Sequence, residues 1–239
     1  MQQINIRNLG VGALEIRAGD KRLLVDAFNT LNQPEKVLPG DILLFTHDDG
    51  DHFNAQSLPE LKQQNVTVIG PPTIVKPILE LDKAELKQLQ VLYSKDNQNP
   101  DCISLEGVCI KAFHTEHFNQ WGAINNSYLI EVNDRKLYIT GDSLLTKELS
   151  NVIGKTDAVI CNLVDEGFLK GYEDRRFAVH HNLSYLLKIS TLCNPVKMIG
   201  VHLLNFEWTV DAEDMRRLVE AYGFYHIIIP TSTTQLIDL

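Results

Sequence analysis

A layered α/β domain, with sheets covered by helices on the outside, is the fold class the sequence predicts. Strand-like runs dominate the first 140 or so positions, and strands alternate with helical periodicity in the remainder. With 239 residues, 44% of them hydrophobic and 22% charged, the chain has the balance of an ordinary globular protein, and 1–239 reads as a single domain.

The elements follow in order. Ile4 and Ile6 alternate, and Ala13–Ile16 and Leu23–Val25 follow, with Ala18-Gly19-Asp20-Lys21 between them as a hairpin turn. The apolar run Ile42–Phe45 ends directly at Thr46-His47. Val66–Ile69, Val91–Tyr93 and Val108–Phe113 continue the strands, and Asn133-Asp134-Arg135 joins Ser127–Val132 to Lys136–Thr140 as a second hairpin. Helical periodicity covers Ser57–Gln63, Pro72–Leu81, Leu183–Leu192 and Ala212–Tyr222, with Asn182 as N-cap of the third. Ala158–Ile160, Met198–Val201 and His226–Ile229 complete the strands.

Composition removes several classes. Lys+Arg number 22 against 31 Asp+Glu, a formal charge of −9 that repels phosphate backbones and argues against nucleic-acid binding. A small anionic substrate stays open, because a bound metal reverses the local sign. No stretch approaches the ~18 apolar residues of a membrane span. The first residues show no signal peptide, and Cys102, Cys109, Cys161 and Cys193 contain no C-x-x-C pair, so reduced thiols in a cytoplasmic protein are expected. Nothing in the pattern sets an oligomeric state.

The chemistry concentrates in Phe45-Thr46-His47-Asp48-Asp49-Gly50-Asp51-His52-Phe53, where five of the six residues from His47 to His52 are His or Asp. The segment leaves an apolar strand and contains a glycine, so a tight loop can point several side chains one way. Imidazoles mixed with carboxylates suit Zn²⁺, Mn²⁺ or Fe, whereas an all-oxygen set suits Ca²⁺ or Mg²⁺. One loop does not close a metal site, and three strand ends offer more donors. These are His114-Thr115-Glu116-His117, Gly141-Asp142 and Val201-His202. Weaker candidates remain. His180-His181 reads as a surface pair or a substrate mouth, and Arg175-Arg176, outside any legible helix, as a partner for phosphate or carboxylate. Asp165-Glu166-Gly167 is a solvated or site-facing loop, His226 a structural histidine, and Trp121 and Trp208 are core or pocket residues.

The order His-rich loop, strand-end His, Gly-Asp, strand-end His resembles the metallo-β-lactamase superfamily, whose loop reads H-x-H-x-D-H. Leu24-Val25-Asp26-Ala27-Phe28 resembles that family's preceding strand, where an Asp-Pro often follows. Within it the chain looks like the lactonase and phosphodiesterase-like branch related to ascorbate-6-phosphate lactonase, over about Asn5 to Pro230. The resemblance implies a four-layer αββα sandwich with a dimetal site along one edge of the sheets. It implies two divalent ions, zinc with manganese or iron as alternatives: His47 and His117 hold the first, Asp51, His52 and His202 the second, and Asp142 bridges them. His117 fits the third motif better than His114, because Val108, Ile110 and Ala112 alternate before it and His114 then takes the branch's proline position.

The implied reaction is hydrolysis of a phosphodiester, lactone or similar small ester by a metal-bound hydroxide. Asp51 would orient it, and His114, Glu116 or a metal-bound water would protonate the leaving group. The chain departs from the pattern at Asp49, giving H-x-D-x-D-H. Either Asp49 coordinates, as the glutamate at this position does in flavo-diiron proteins, and favours harder metals, or it is too short and one ion remains. A non-haem di-iron redox protein and a degenerate, non-catalytic metal-binding module are the alternatives.

Overall fold

The computed structural model describes residues 3–117, 124–143, 145–163, 175–203 and 211–239, with side chains from 182 onward in the fourth segment. Trp121, Asp165, Glu166, Gly167 and Trp208, and the side chains of Arg175, Arg176, His180 and His181, lie outside it. Two seven-stranded sheets form the body. The first contains β1 (Ile4–Asn8), β2 (Leu14–Ala18), β3 (Lys21–Val25), β4 (Ile42–Leu44), β5 (Thr67–Gly70), β6 (Leu89–Val91) and β14 (Leu236–Asp238), in the order β14-β1-β2-β3-β4-β5-β6. The second contains β7 (Asp101–Leu105), β8 (Val108–Glu116), β9 (Ile124–Val132), β10 (Arg135–Ile139), β11 (Ala158–Asn162), β12 (Lys197–Val201) and β13 (Ile227–Ile228), in the order β13-β12-β11-β10-β9-β8-β7. The chain passes from one sheet to the other between β6 and β7, and returns between β13 and β14.

Each sheet begins as an antiparallel meander and finishes with parallel strands: β3, β4, β5 and β6 run parallel in the first, and β10, β11, β12 and β13 in the second. Side-chain alternation builds the layers. Ile4, Ile6, Leu14, Ile16, Leu23 and Val25 of one sheet meet Ile110, Tyr128, Ile130, Leu137, Ile160 and Ile199 of the other in a dry central core. The outer face of the first sheet packs under Ile74 and Ile78 of α1 (Pro72–Glu80). Among the described residues, the outer face of the second packs under α2 (Lys147–Ile153), α3 (Arg175–Cys193) and α4 (Ala212–Ala221). The architecture is therefore the predicted αββα sandwich. No helix among the described residues is long and apolar enough to cross a membrane.

Several predicted elements are corrected. Ser57–Gln63 is a series of turns: Pro59 disfavours the helical region for Leu58 before it, and Gln63 stands at φ +64°; Leu58 and Leu61 are buried regardless. Asn182 is not an N-cap. It lies buried two turns inside α3, and no Gly or Pro between Arg175 and Asn182 stops the helix from extending toward the N-terminus, so Arg175, Arg176, His180 and His181 are helical positions. The Val91–Tyr93 strand is centred earlier, at β6. β7 is an edge strand without readable alternation, β14 exists through pairing with β1, and α2 is too short for periodicity.

Candidate metal centre

The parallel strands end at one rim, and the loops leaving them deliver the donors. After β4, the N–H groups of His52 and Phe53 both bond Asp49 O at 2.8 Å, folding the 47–53 segment back on itself. Phe53 then packs edge-on to Phe45 with ring centroids 5.0 Å apart, and Thr30 holds Gly50 O through both its N–H and its hydroxyl. From the other sheet, His117 follows β8 and bridges to Ser143. Asp142 follows β10 through Gly141, whose φ of +56° suits glycine; a Cβ there would meet Asn125 Oδ1 at 2.9 Å. His202 follows β12 with φ +78°, a costly conformation for a non-glycine residue that turns the chain at the rim.

These residues converge from positions 47 to 202. Asp51, His52, Asp142 and His202 form one group whose donor atoms all lie within 4.8 Å of one another, and His47, His117 and Asp142 form a second. Asp142 belongs to both. Its Oδ1 lies 3.2 Å from His52 Nε2, and its Oδ2 lies 3.6 Å from His117 Nε2 and 3.8 Å from His202 Nε2. Asp49 Oδ2 is 3.4 Å from His117 Nε2 and 3.9 Å from His47 Nε2, so the carboxylate that breaks the family pattern faces the second group. Asp51 Oδ2 is 3.4 Å from His202 Nε2.

A cation fits this set. Thr46 Oγ1 has one proton and a 2.6 Å contact to Asp26 Oδ2, so toward His47 Nδ1, at 2.9 Å, it accepts. His47 therefore carries its proton on Nδ1 and presents a lone pair on Nε2, which is buried and has no hydrogen-bond partner among the described residues. His52 Nδ1 likewise meets Asp26 Oδ2 at 2.8 Å, and its Nε2 faces His202 Nε2 across 3.3 Å. Imidazole and carboxylate donors of this kind suit zinc, manganese or iron.

Burial drives the His47 pKa well below its ordinary value, with the neighbouring His52 adding to it, so the ring is neutral. Burial alone raises the Asp142 carboxyl, but His52 and His202 outweigh it and hold Asp142 well below the ordinary range. Asp51 is lowered in the same way, against burial, by His202 and His52. Burial raises Asp49, and the charge of Asp51 adds to it against the pull of His117. Burial opposes protonation of His52, yet Asp142 and Asp26 raise it well above its ordinary value; a metal ion must displace that proton.

The structure thus brings together His47, Asp49, Asp51, His52, His117, Asp142 and His202. His114 stands apart, its backbone N–H and C=O both bonded to the Asn97 side chain and its ring edge-on to Tyr93 at 5.3 Å. Glu116 is exposed at the end of β8. His226 pairs with Ser190 Oγ at 3.0 Å, the structural role expected of it. Sequence reasoning gave no role to four supports. Asp26 and Thr46 orient the two histidines, and Gly12 packs so close that a Cβ would lie 2.5 Å from His52 Cε1. Asn162 bonds Asp142. Of these, only Asp26 carried a sequence signal, in its resemblance to the family's Asp-Pro.

A family model described as a beta-lactamase superfamily domain matches residues 5–183. No curated protein matches the chain. Among solved structures, a possible metal-dependent hydrolase from Veillonella parvula shares 14% identity at a TM-score of 0.68, over 100% of this chain and 99% of its own. The metallo-beta-lactamase fold protein YhfI from Bacillus subtilis shares 12% identity at a TM-score of 0.69, over 100% of both chains. The diiron β-hydroxylase CmlA from Streptomyces venezuelae shares 14% identity at a TM-score of 0.64, over 100% of this chain and 54% of its own.

Proposed function

The chain belongs to the beta-lactamase superfamily, and from that premise we propose that it is a metal-dependent hydrolase with a dinuclear centre. The observation that carries this reading is the pair of donor groups sharing Asp142. His47, His117 and Asp49 would hold one ion, and Asp51, His52 and His202 the other, with Asp142 between them. When bound, the two ions, zinc or else manganese or iron, would supply Lewis-acid polarisation of the scissile bond and a water whose pKa is lowered to about 7.

The chain's own residues do the rest. Asp26, held by the N–H and hydroxyl of Thr46, keeps His52 Nδ1–H engaged so that Nε2 stays turned to the site. Asp51, half-buried beside His202, orients the attacking water. His114, Glu116 or a water of the centre would protonate the leaving group; Glu116 lies exposed at the end of the strand that delivers His117, and the His114 backbone is tied to Asn97. The substrate is a small phosphodiester, lactone or similar ester, anionic species included. The alternating Val108, Ile110 and Ala112 before His117 support a place beside the ascorbate-6-phosphate lactonase branch. Four unbridged cysteines support a cytoplasmic location.

A di-iron redox protein is the second reading, favoured by Asp49 and by the likeness to CmlA. Elemental analysis, an absorption spectrum and a panel of phosphodiesters, lactones and thioesters separate the readings. We expect two metal equivalents and hydrolysis of at least one class. His117→Ala should lose metal and activity, whereas His114→Ala keeps its metal and loses about 10–100-fold in rate. Iron with visible absorption and no hydrolysis favours the redox reading, and metal without either activity favours a non-catalytic module. Metal loss in His114→Ala alone overturns the ligand assignment.

A further inference from the structure

We propose that Asn162 is a positioning residue that fixes the shared carboxylate of Asp142 between the two donor groups; the inference rests on the dinuclear reading above. Along β11, Ala158 and Ile160 face the central core while Val159 and Cys161 face the helices. Alternation puts position 162 back on the central face, where an apolar residue is expected, yet Asn stands there at 3% exposure. Burying an amide is costly unless it is paired.

Its pairing is specific. Asn162 Nδ2 donates to Asp142 Oδ1 at 2.7 Å, and its backbone N–H donates to Thr140 Oγ1 at 3.2 Å, so the donor is anchored to the strand carrying its acceptor. With Oδ1 held, Oδ2 stands at nearly equal distances from His117 Nε2, 3.6 Å, and His202 Nε2, 3.8 Å. Rotation of the carboxylate would take that oxygen toward one group and away from the other. A neutral amide also fixes Asp142 without cancelling its charge, which a lysine or arginine would do.

The other half of the molecule repeats the device. Thr46, just past β4, donates to Asp26, just past the parallel neighbour β3; Asn162, at the end of β11, donates to Asp142, just past the parallel neighbour β10. Asp26 sits at φ +48° and Asp142 follows Gly141 at φ +56°. In the first half the fixed carboxylate orients His52. In the second it faces both donor groups.

The test is a titration of metal-free protein with Zn²⁺ and with Mn²⁺ against a competing chelator, with electron paramagnetic resonance of the Mn²⁺ forms. Wild type, Asn162→Leu and Gln88→Leu are compared. Gln88 is a buried amide bonded to Leu61 O and Gln64 O, remote from the site in the sheet order. Wild type should take two ions and show a coupled manganese pair. In Asn162→Leu one ion should stay tight, the other weaken about 10–100-fold, and the spectrum become that of isolated ions. Gln88→Leu should lower the melting temperature and leave the titration unchanged. An Asn162→Leu titration like that of wild type, or equal weakening of both ions, overturns the proposal. Fewer than two ions in wild type overturns the dinuclear reading instead. If Asn162→Leu does not fold, Asn162→Ser, too short to reach Oδ1, carries the same test.

Discussion

Two clusters of charged side chains are buried in this protein, and they are finished differently. On the outer face of the first sheet, Arg22 donates from Nε to Glu15, from Nη1 to Asp41 and Lys36 O, and from Nη2 to Glu35. Glu15 also takes Arg7 and Arg17. Donors meet acceptors throughout, and the network ties the 35–41 segment to the sheet. At the rim, by contrast, His47 Nε2 meets no hydrogen-bond partner among the described residues, His52 Nε2 faces another imidazole nitrogen, and three carboxylates crowd around them. The first cluster is closed by its own guanidinium. The second has no guanidinium among its described members: its positive charge is a proton that Asp142 and Asp26 hold on His52, and its donors converge in two groups sharing Asp142.

Crossed substitutions put the largest strain on this contrast. Arg22→Ala leaves Asp41 buried without its cation, takes one of three arginines from Glu15, and should cost about 3–5 kcal/mol, with metal content unchanged. Asp142→Ala should do the reverse. Hydrolysis should fall by at least about 10²–10³-fold and metal content drop, while the metal-free protein loses only about 1–3 kcal/mol, the cost of leaving the buried Asn162 amide unpaired, because His52 can shed its proton and an arginine cannot. Equal destabilisation of the metal-free forms would make the rim cluster a structural ion network after all.

A smaller effect is expected at Asp49. Asp49→His restores the common motif and should raise zinc retention toward a full second equivalent, shifting the metal that best supports turnover away from manganese or iron. Asp49→Ala should lower retention. Metal content and activity untouched by both substitutions would leave a one-metal centre without Asp49.

The smallest effect concerns acid. Burial raises the Glu15 carboxyl, but the bonds from Arg17 and Arg22 outweigh it and hold Glu15 below its ordinary value of 4.5. A depressed carboxyl contributes stability that is complete above the unfolded value and is lost as pH falls through the folded one. The urea midpoint of metal-free protein should therefore decline below about pH 4.5, and less steeply in Glu15→Gln. Identical slopes would show that the network contributes nothing of this kind.

What the sequence made legible follows the range of each interaction. His47, Asp49, Asp51 and His52 stand in one loop, and Asp142 and His202 each close an apolar run, so their residue types announce them. Asp26–Thr46 and Asp142–Asn162 are each paired across 20 positions, and a lone Thr or Asn at a strand end carries no signal of its partner. The same holds for the fold. The long alternating strands were readable, while β14 is defined by its pairing with β1 and the Ser57–Gln63 periodicity was overruled at Pro59 and Gln63.

The passage from β6 to β7 has one more consequence. Sheet order assigns β1 to β6 to one side of it and β7 to β13 to the other. His47, Asp51 and His52 come from the first side, His117, Asp142 and His202 from the second, and each donor group takes members from both. A backbone cut among the turns around residues 95–99 would yield two fragments, each with most of a sheet and neither with a whole centre. Metal uptake by the mixed fragments would then report their reassembly, since neither fragment holds all members of either donor group.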